Sequence, residues 1–136
     1  MHIASFLLDT AYILALFNPR DEYHKKAVEL FPQIRKAHEV WITEAVLTEV
    51  GNALAKVNRS AAVTFINSCY MTTNVKVVSV DRELFIRAIE FYNNYSDKDW
   101  GITDCISFIV MQDNGVTKAL TTDDHFQQAG FQVLLR

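Results

Sequence analysis

The chain has 136 residues, 13 Lys and Arg against 16 Asp and Glu, a net charge of −3, four Gly and two Pro, with half its residues hydrophobic. That composition excludes disorder and supports the core of one domain. It offers no basic surplus that would announce nucleic-acid binding, although four acids set aside around a cation would leave the remainder at +1.

In chain order, Ile3 to Leu8 reads as a short buried strand, apolar until a helix signal follows it. Thr10 to Phe17 reads as a helix ended by Asn18-Pro19. Asp21 to Ala37 is amphipathic, with Tyr23, Ala27, Leu30, Phe31 and Ile34 on one face, and Pro32 is expected to kink or split it. Val40 to Ile42 is a second strand, followed by a helix from Glu44 to about Val57. Arg59 to Tyr70 is helical, Val75 to Val80 is strand-like, and Asp81 to about Tyr95 is helical again. "SDKDWG" is a loop. Thr103 to Gln112 is a helix stopped by Asn114-Gly115, and Ala119 to Thr121 is a strand. His125 to Ala129 is a short helix ended by Gly130, and Phe131 to Leu135 closes the chain as a strand. Nearly all-apolar strands alternating with helices imply an α/β fold of three layers, α/β/α, with a central, mostly parallel sheet in a single domain. No apolar run reaches the ~18 residues of a membrane helix. No basic residue precedes Arg20 and no cleavage site follows, so no signal peptide is read, and a cytoplasmic protein is expected. Cys69 and Cys105 have no metal or redox spacing and read as buried thiols.

Four acids break this pattern. Asp9 interrupts the apolar stretch "FLLDTAYILALF" where a strand gives way to a helix. A lone buried carboxylate is costly unless it caps a helix, is paired, or binds a metal. Glu49 falls in a stripe formed with Val46, Val50, Ala53, Leu54 and Val57, either inside it or at an edge from which it reaches solvent. Asp104 opens an otherwise apolar helix, and Asp123 and Asp124 sit between a strand and a helix; at all three, capping or the helix dipole is the plain alternative. In a parallel sheet, strand–helix junctions converge at the carboxyl ends of the strands, where open α/β sheets bind ligands. Carboxylates gathered there raise one another's pKa unless a cation offsets them. A hard divalent ion fits, because Mg²⁺ takes oxygen ligands, keeps several waters and can activate one as a nucleophile.

In the stretches "LLDTAYILALFNPRDEYHKKAVELF", "TEAVLTEVGNAL", "DWGITDCISFIVM" and "KALTTDDHFQQAGFQVL", in that order and over essentially its full length, the chain resembles a PIN-domain ribonuclease of the type that serves as toxin in bacterial toxin–antitoxin pairs. The resemblance implies a parallel sheet flanked by helices and an acidic cluster of Asp9, Glu49, Asp104 and Asp123. It further implies hydrolysis of RNA with Mg²⁺, or Mn²⁺ in its place, and an antitoxin whose tail lies over a groove near the acids. The family's T-x-D spacing, read from Thr121, selects Asp123 over Asp124, whose side chains point about 100° apart on entering a helix.

The other residues carry weaker expectations. His2, His24, His38 and His125 lack zinc spacing; His125, next to the acids, reads either as a substrate contact or, the plainer reading, as an ordinary first-turn residue. Thr10, Thr43, Thr103 and Thr121 either orient the acids or cap helices. Asp97 and Asp99 precede Asp104 in a loop and are weak candidates for the cluster. Arg20, Lys25, Lys26, Lys56 and Arg59 are candidates to hold phosphates, with solvated surface charge the plainer reading. Tyr12, Leu16, Phe17 and Tyr23 on the first two helices suggest a protein partner and a homodimer, with a place in the core the plainer reading for some of them. The competing functions are an RNA-processing PIN nuclease without a toxin role, a receiver-like Mg²⁺-binding signalling domain, and a degenerate binding module. A receiver needs a phosphoacceptor Asp closing a central strand and a Lys after the last strand, whereas Lys118 begins a strand.

Overall fold

The computed structural model describes residues 4–136; Ile3, the expected start of the first strand, and His2 lie outside them. The elements run β1 Ser5–Leu8, α1 Thr10–Phe17, α2 His24–Arg35, β2 Glu39–Thr43, α3 Glu44–Leu54, α4 Arg59–Met71 and β3 Val75–Val78. They continue α5 Arg82–Asn94, α6 Ile102–Asn114, β4 Lys118–Leu120, α7 Asp124–Gln128 and β5 Gln132–Val133. The five strands form one sheet in the order β3-β2-β1-β4-β5, and every pairing is parallel, with Leu7 beside Trp41 and Ala119. The chain works outward from β1 to β3 on one side, then returns to place β4 and β5 on the other. β1 and β4 therefore flank the point where the strand order reverses, and a ligand crevice opens outside their carboxyl ends.

Alternation along each strand divides the core into two. Phe6, Leu8, Val40 and Ile42 pack with α1 to α4 on one face. Leu7, Trp41 and Ala119 pack on the other face with residues of α5, α6 and α7. Burial on both faces is why these strands are apolar at nearly every position. Helix α6 is the most enclosed element, with Cys105 through Met111 all buried, and it stops at Gly115 in the left-handed region, φ 66°, which glycine adopts without steric cost.

Several boundaries differ from the sequence reading. α2 is one continuous helix that carries Pro32 within it, neither split nor started at Asp21. The carbonyl that Pro32 cannot satisfy belongs to Val28, an exposed residue, so it is not sealed in the core without a partner. Asp21 makes a turn before the helix, its Oδ1 accepting from Tyr23 N at 2.8 Å. α3 ends at Leu54. Its buried residues are Val46, Leu47, Val50 and Leu54, whereas Ala53 and Val57 face solvent. β5 holds only two ladder residues, although Leu134 N and Leu135 N extend its bonding to Ala119 O and Thr121 O. Both cysteines are free and buried. Tyr12, expected at an interface, is core, 2% exposed, its hydroxyl donating to Ala27 O at 2.7 Å. Tyr23 is partly buried against the same core. No helix is long and apolar enough to cross a membrane among the described residues.

Candidate active site

Asp9 follows the last residue of β1 at the N-cap position of α1, yet its side chain makes no capping bond. It turns toward β4, where Oδ2 accepts from Thr121 Oγ1 at 2.7 Å. The residue is 7% exposed. Burial, opposed by the Thr121 bond and reinforced by the charges of Asp104 and Asp123, pushes its pKa up to about 7. A capping carboxylate would sit in a stabilising field; this one is held in a destabilising field. A backbone bond from Thr10 eases the Asp9 charge, but no side-chain cap is made and burial outweighs it, so capping does not account for Asp9.

Asp104 occupies the third position of α6. Its Oδ2 accepts from Gly101 N at 3.1 Å, so the helix-start role expected of an acid there is real, but one oxygen performs it. The same oxygen lies 3.0 Å from His125 Nδ1. Burial chiefly raises the Asp104 pKa, with Asp123 adding to it and the Gly101 and His125 bonds opposing. Asp123 caps α7 through Oδ1, which accepts from His125 N at 2.8 Å. Its own N–H donates to Thr121 Oγ1 at 3.0 Å. One hydroxyl, that of Thr121, thus organises Asp9 and Asp123 together. Asp124 is exposed and pairs with Arg136, which leaves it outside the cluster.

Glu49 is exposed and stands at the edge of the α3 stripe, not within it. Its Oε1 nevertheless accepts from Thr10 Oγ1 at 2.6 Å, so it is held against the first residue of α1, next to Asp9. The structure therefore gathers Asp104, Asp123 and His125 at one point, links Asp9 to Asp123 through the Thr121 hydroxyl within reach of the charges of Asp104 and Asp123, and brings Glu49 to their border through Thr10. Of the remaining threonines, Thr43 caps α3 by accepting from Val46 N at 3.2 Å. Asp97 lies 3.6 Å from Lys98, while the charge of Asp99 acts on His125.

His125 is the residue the sequence reading undervalued. Its Nδ1 stands 3.0 Å from Asp104 Oδ2 and 3.3 Å from Asp123 Oδ1, bridging two carboxylates. Burial disfavours the charged ring most, but the Asp104 bond and the charges of Asp123, Asp104 and Asp99 outweigh it and raise the pKa. Ligand atoms of Asp104, Asp123 and His125 all lie within 4.8 Å of one another, a spacing that one metal ion could span. The set is rich in carboxylate oxygen, with His125 the one nitrogen side chain bonded to it among the described residues. Oxygen donors of this kind suit Mg²⁺ or Mn²⁺. The only sequence signal for His125 was its adjacency to Asp123 and Asp124, which any first-turn residue would share.

The site topology excludes the receiver arrangement. Lys118 pairs with Phe6 at the start of β4, at the end of the strand opposite the acids, and Asp81 is occupied capping α5 by accepting from Leu84 N at 2.9 Å.

Comparison with known proteins gives the same picture. The 23S rRNA-specific endonuclease VapC20 of Mycobacterium tuberculosis is 28% identical over 124 residues, 91% of this chain and 93% of that protein. The crystal structure of Mycobacterium tuberculosis VapC20, a sarcin–ricin loop cleaving toxin, superposes with a TM-score of 0.81 at 27% identity, covering 93% of this chain and 95% of that one. The fold alone is shared with DNA-bound VapBC from Salmonella typhimurium, TM-score 0.66 at 15% identity, with 96% and 97% of the two chains covered. Residues 6–132 match the PIN domain model. The chain belongs to the PIN domain family.

Proposed function

We propose that this protein is a metal-dependent endoribonuclease and the toxin of a toxin–antitoxin pair, with Asp9, Glu49, Asp104 and Asp123 holding Mg²⁺, or Mn²⁺ in its place. The observation that carries the reading is Asp9: a buried carboxylate at a helix start that does not cap, with its pKa pushed up to about 7 by burial and by neighbouring acids. Such a group is held at a cost that a bound cation would offset. A divalent cation at this site supplies charge neutralisation at the scissile phosphate and an acidified water for in-line attack. The chain's own residues fix the donors. Thr121 orients Asp9 by donating to Oδ2 and aligns Asp123 by accepting from its N–H. Gly101 N–H holds Asp104, and Thr10 holds Glu49. No nucleophilic side chain is required.

The likeness to VapC20 supports structured RNA as substrate, with large-subunit ribosomal RNA foremost. An apolar groove of about 660 Å³ between α1, α2 and α4, lined by Leu16, Phe17, Phe31, Ile34 and Phe65 among others, is the surface proposed for the antitoxin; Leu8 at its edge adjoins Asp9. A homodimer is proposed as well, with the outward face of α5, where Phe85, Ile86, Ile89 and Tyr92 are exposed, offered to the second copy. Induced expression is expected to arrest growth, with rescue by a co-transcribed neighbour, and end-mapping of total RNA is expected to show a discrete cut in ribosomal RNA. Harmless expression of active enzyme would remove the toxin role and leave an RNA-processing nuclease.

A further inference from the structure

We propose that Trp100 and Gln128 are positioning residues for the acidic site, tying the helix that carries Asp104 to the short helix entered through Asp123. The proposal rests on the metal-site reading above. Trp100 lies in the loop before α6, is 5% exposed, and donates from Nε1 to Gln128 Oε1 at 3.0 Å. Its ring packs edge-on against Phe108 at 5.1 Å and lies 5.0 Å from Tyr95. The next peptide unit carries the Gly101 N–H that holds Asp104 Oδ2 at 3.1 Å. That N–H lies in the peptide plane that begins at the Trp100 carbonyl, so anchoring Trp100 leaves its ψ as the main freedom in the direction of that N–H.

On the other side, Gln128 stands three residues after His125, and residues at that spacing share one face of a helix. His125 Nδ1 meets the same Asp104 oxygen at 3.0 Å. Asp104–His125 therefore ties α6 to α7, and Trp100–Gln128 ties the loop leading into α6 to the same short helix. Both are needed for a physical reason. Helix α7 has five residues, too few to hold itself in place, and it must keep Asp123 beside Asp104 against like-charge repulsion. Phe126 against Phe108 at 4.9 Å sets how close the helices lie, but an apolar contact leaves rotation and sliding free. A directional hydrogen bond removes that freedom. Phenylalanine would fill the Trp100 cavity nearly as well; only the indole N–H adds the tie.

The test measures Mn²⁺ binding by calorimetry on the full chain for wild type, Trp100→Phe, Gln128→Leu and the double variant, with RNA cleavage in parallel. Gln128 is exposed, so its substitution leaves folding intact even if Trp100→Phe does not. Each single variant is expected to weaken Mn²⁺ binding several-fold, up to about the 10-fold at which loss of a group bonded directly to a ligand begins. The double variant is expected to be no weaker than the worse single, because one bond is removed in all three. A wild-type affinity retained in Gln128→Leu, with only a lower melting temperature, overturns the proposal while the metal site stands. A wild type that takes up no more Mn²⁺ than Asp104→Asn overturns the metal reading and the proposal with it.

Discussion

A carboxylate's environment separates its roles better than its position in the chain. Asp9, Asp104 and Asp123 all stand at helix starts, and the sequence reading gave each the same two explanations. The structure divides them: Asp9 does not cap, whereas Asp104 and Asp123 cap with one oxygen. Asp9 should therefore carry the sharpest pH signature. Its folded pKa is raised from 3.8 to about 7, so the folded form keeps a proton that the unfolded chain has released. The protonated site is fully stable below pH ~4, and that stability is lost as pH rises to about 7, by on the order of 4 kcal/mol. Denaturant melts of metal-free wild type and Asp9→Asn across this window are expected to diverge progressively, with the variant the more stable at pH 7. Parallel curves would show that Asp9 is not strained. Asp123→Ala is expected to lower cleavage strongly, though less than loss of Asp9. Asp124→Ala is expected to spare activity and to cost at most ~1 kcal/mol, the worth of an exposed pair and a dipole contact. Cleavage rates of both at several Mg²⁺ concentrations check the assignment, and a larger loss at 124 reverses it.

Elements were legible where their apolar period was long, and less so where tertiary packing arbitrates. The alternation of apolar strands and helices was sufficient for the α/β reading because both sheet faces are covered. The stripe on α3 was harder, since Leu47 and Ala53 fit the period equally well and only the position of the neighbouring helices buries one and exposes the other. Glu49 moves to the border of the stripe for that reason, and its tie to Thr10 spans 39 residues, beyond any local pattern. His125 was undervalued for a related cause: besides its neighbour Asp123, the charges it answers, Asp104 and Asp99, lie in a helix and a loop distant in sequence. Pro32 shows the reverse, a strong local signal overridden because the orphaned carbonyl belongs to an exposed residue. Pro32→Ala should then restore one helical bond and raise stability by about 1–3 kcal/mol, with cleavage unchanged. A thermal melt reads this, and no gain would mean the native turn has adapted to the ring.

At the scale of the whole molecule, the strand order decides where chemistry can occur. β1 and β4 are neighbours although more than a hundred residues separate Asp9 from Thr121, and that adjacency turns dispersed acids into a site. The convergence of strand–helix junctions was predictable from a parallel sheet; which junctions adjoin was not, because the order β3-β2-β1-β4-β5 depends on how the crossovers pack. A fold that concentrates like charge should gain stability from a cation. Mg²⁺ or Mn²⁺ at a hundred times its dissociation constant is expected to stabilise the protein by about 2.7 kcal/mol, read as a rise in melting temperature that Asp9→Asn largely abolishes. The most direct test of the central claim is cleavage of labelled RNA by wild type and Asp9→Asn, each with Mg²⁺, with Mn²⁺ and with excess chelator. Cleavage is expected only from wild type with metal, with Asp9→Asn folded but inactive; cutting by Asp9→Asn at the wild-type rate under limiting Mg²⁺, or by wild type in chelator, would contradict the account.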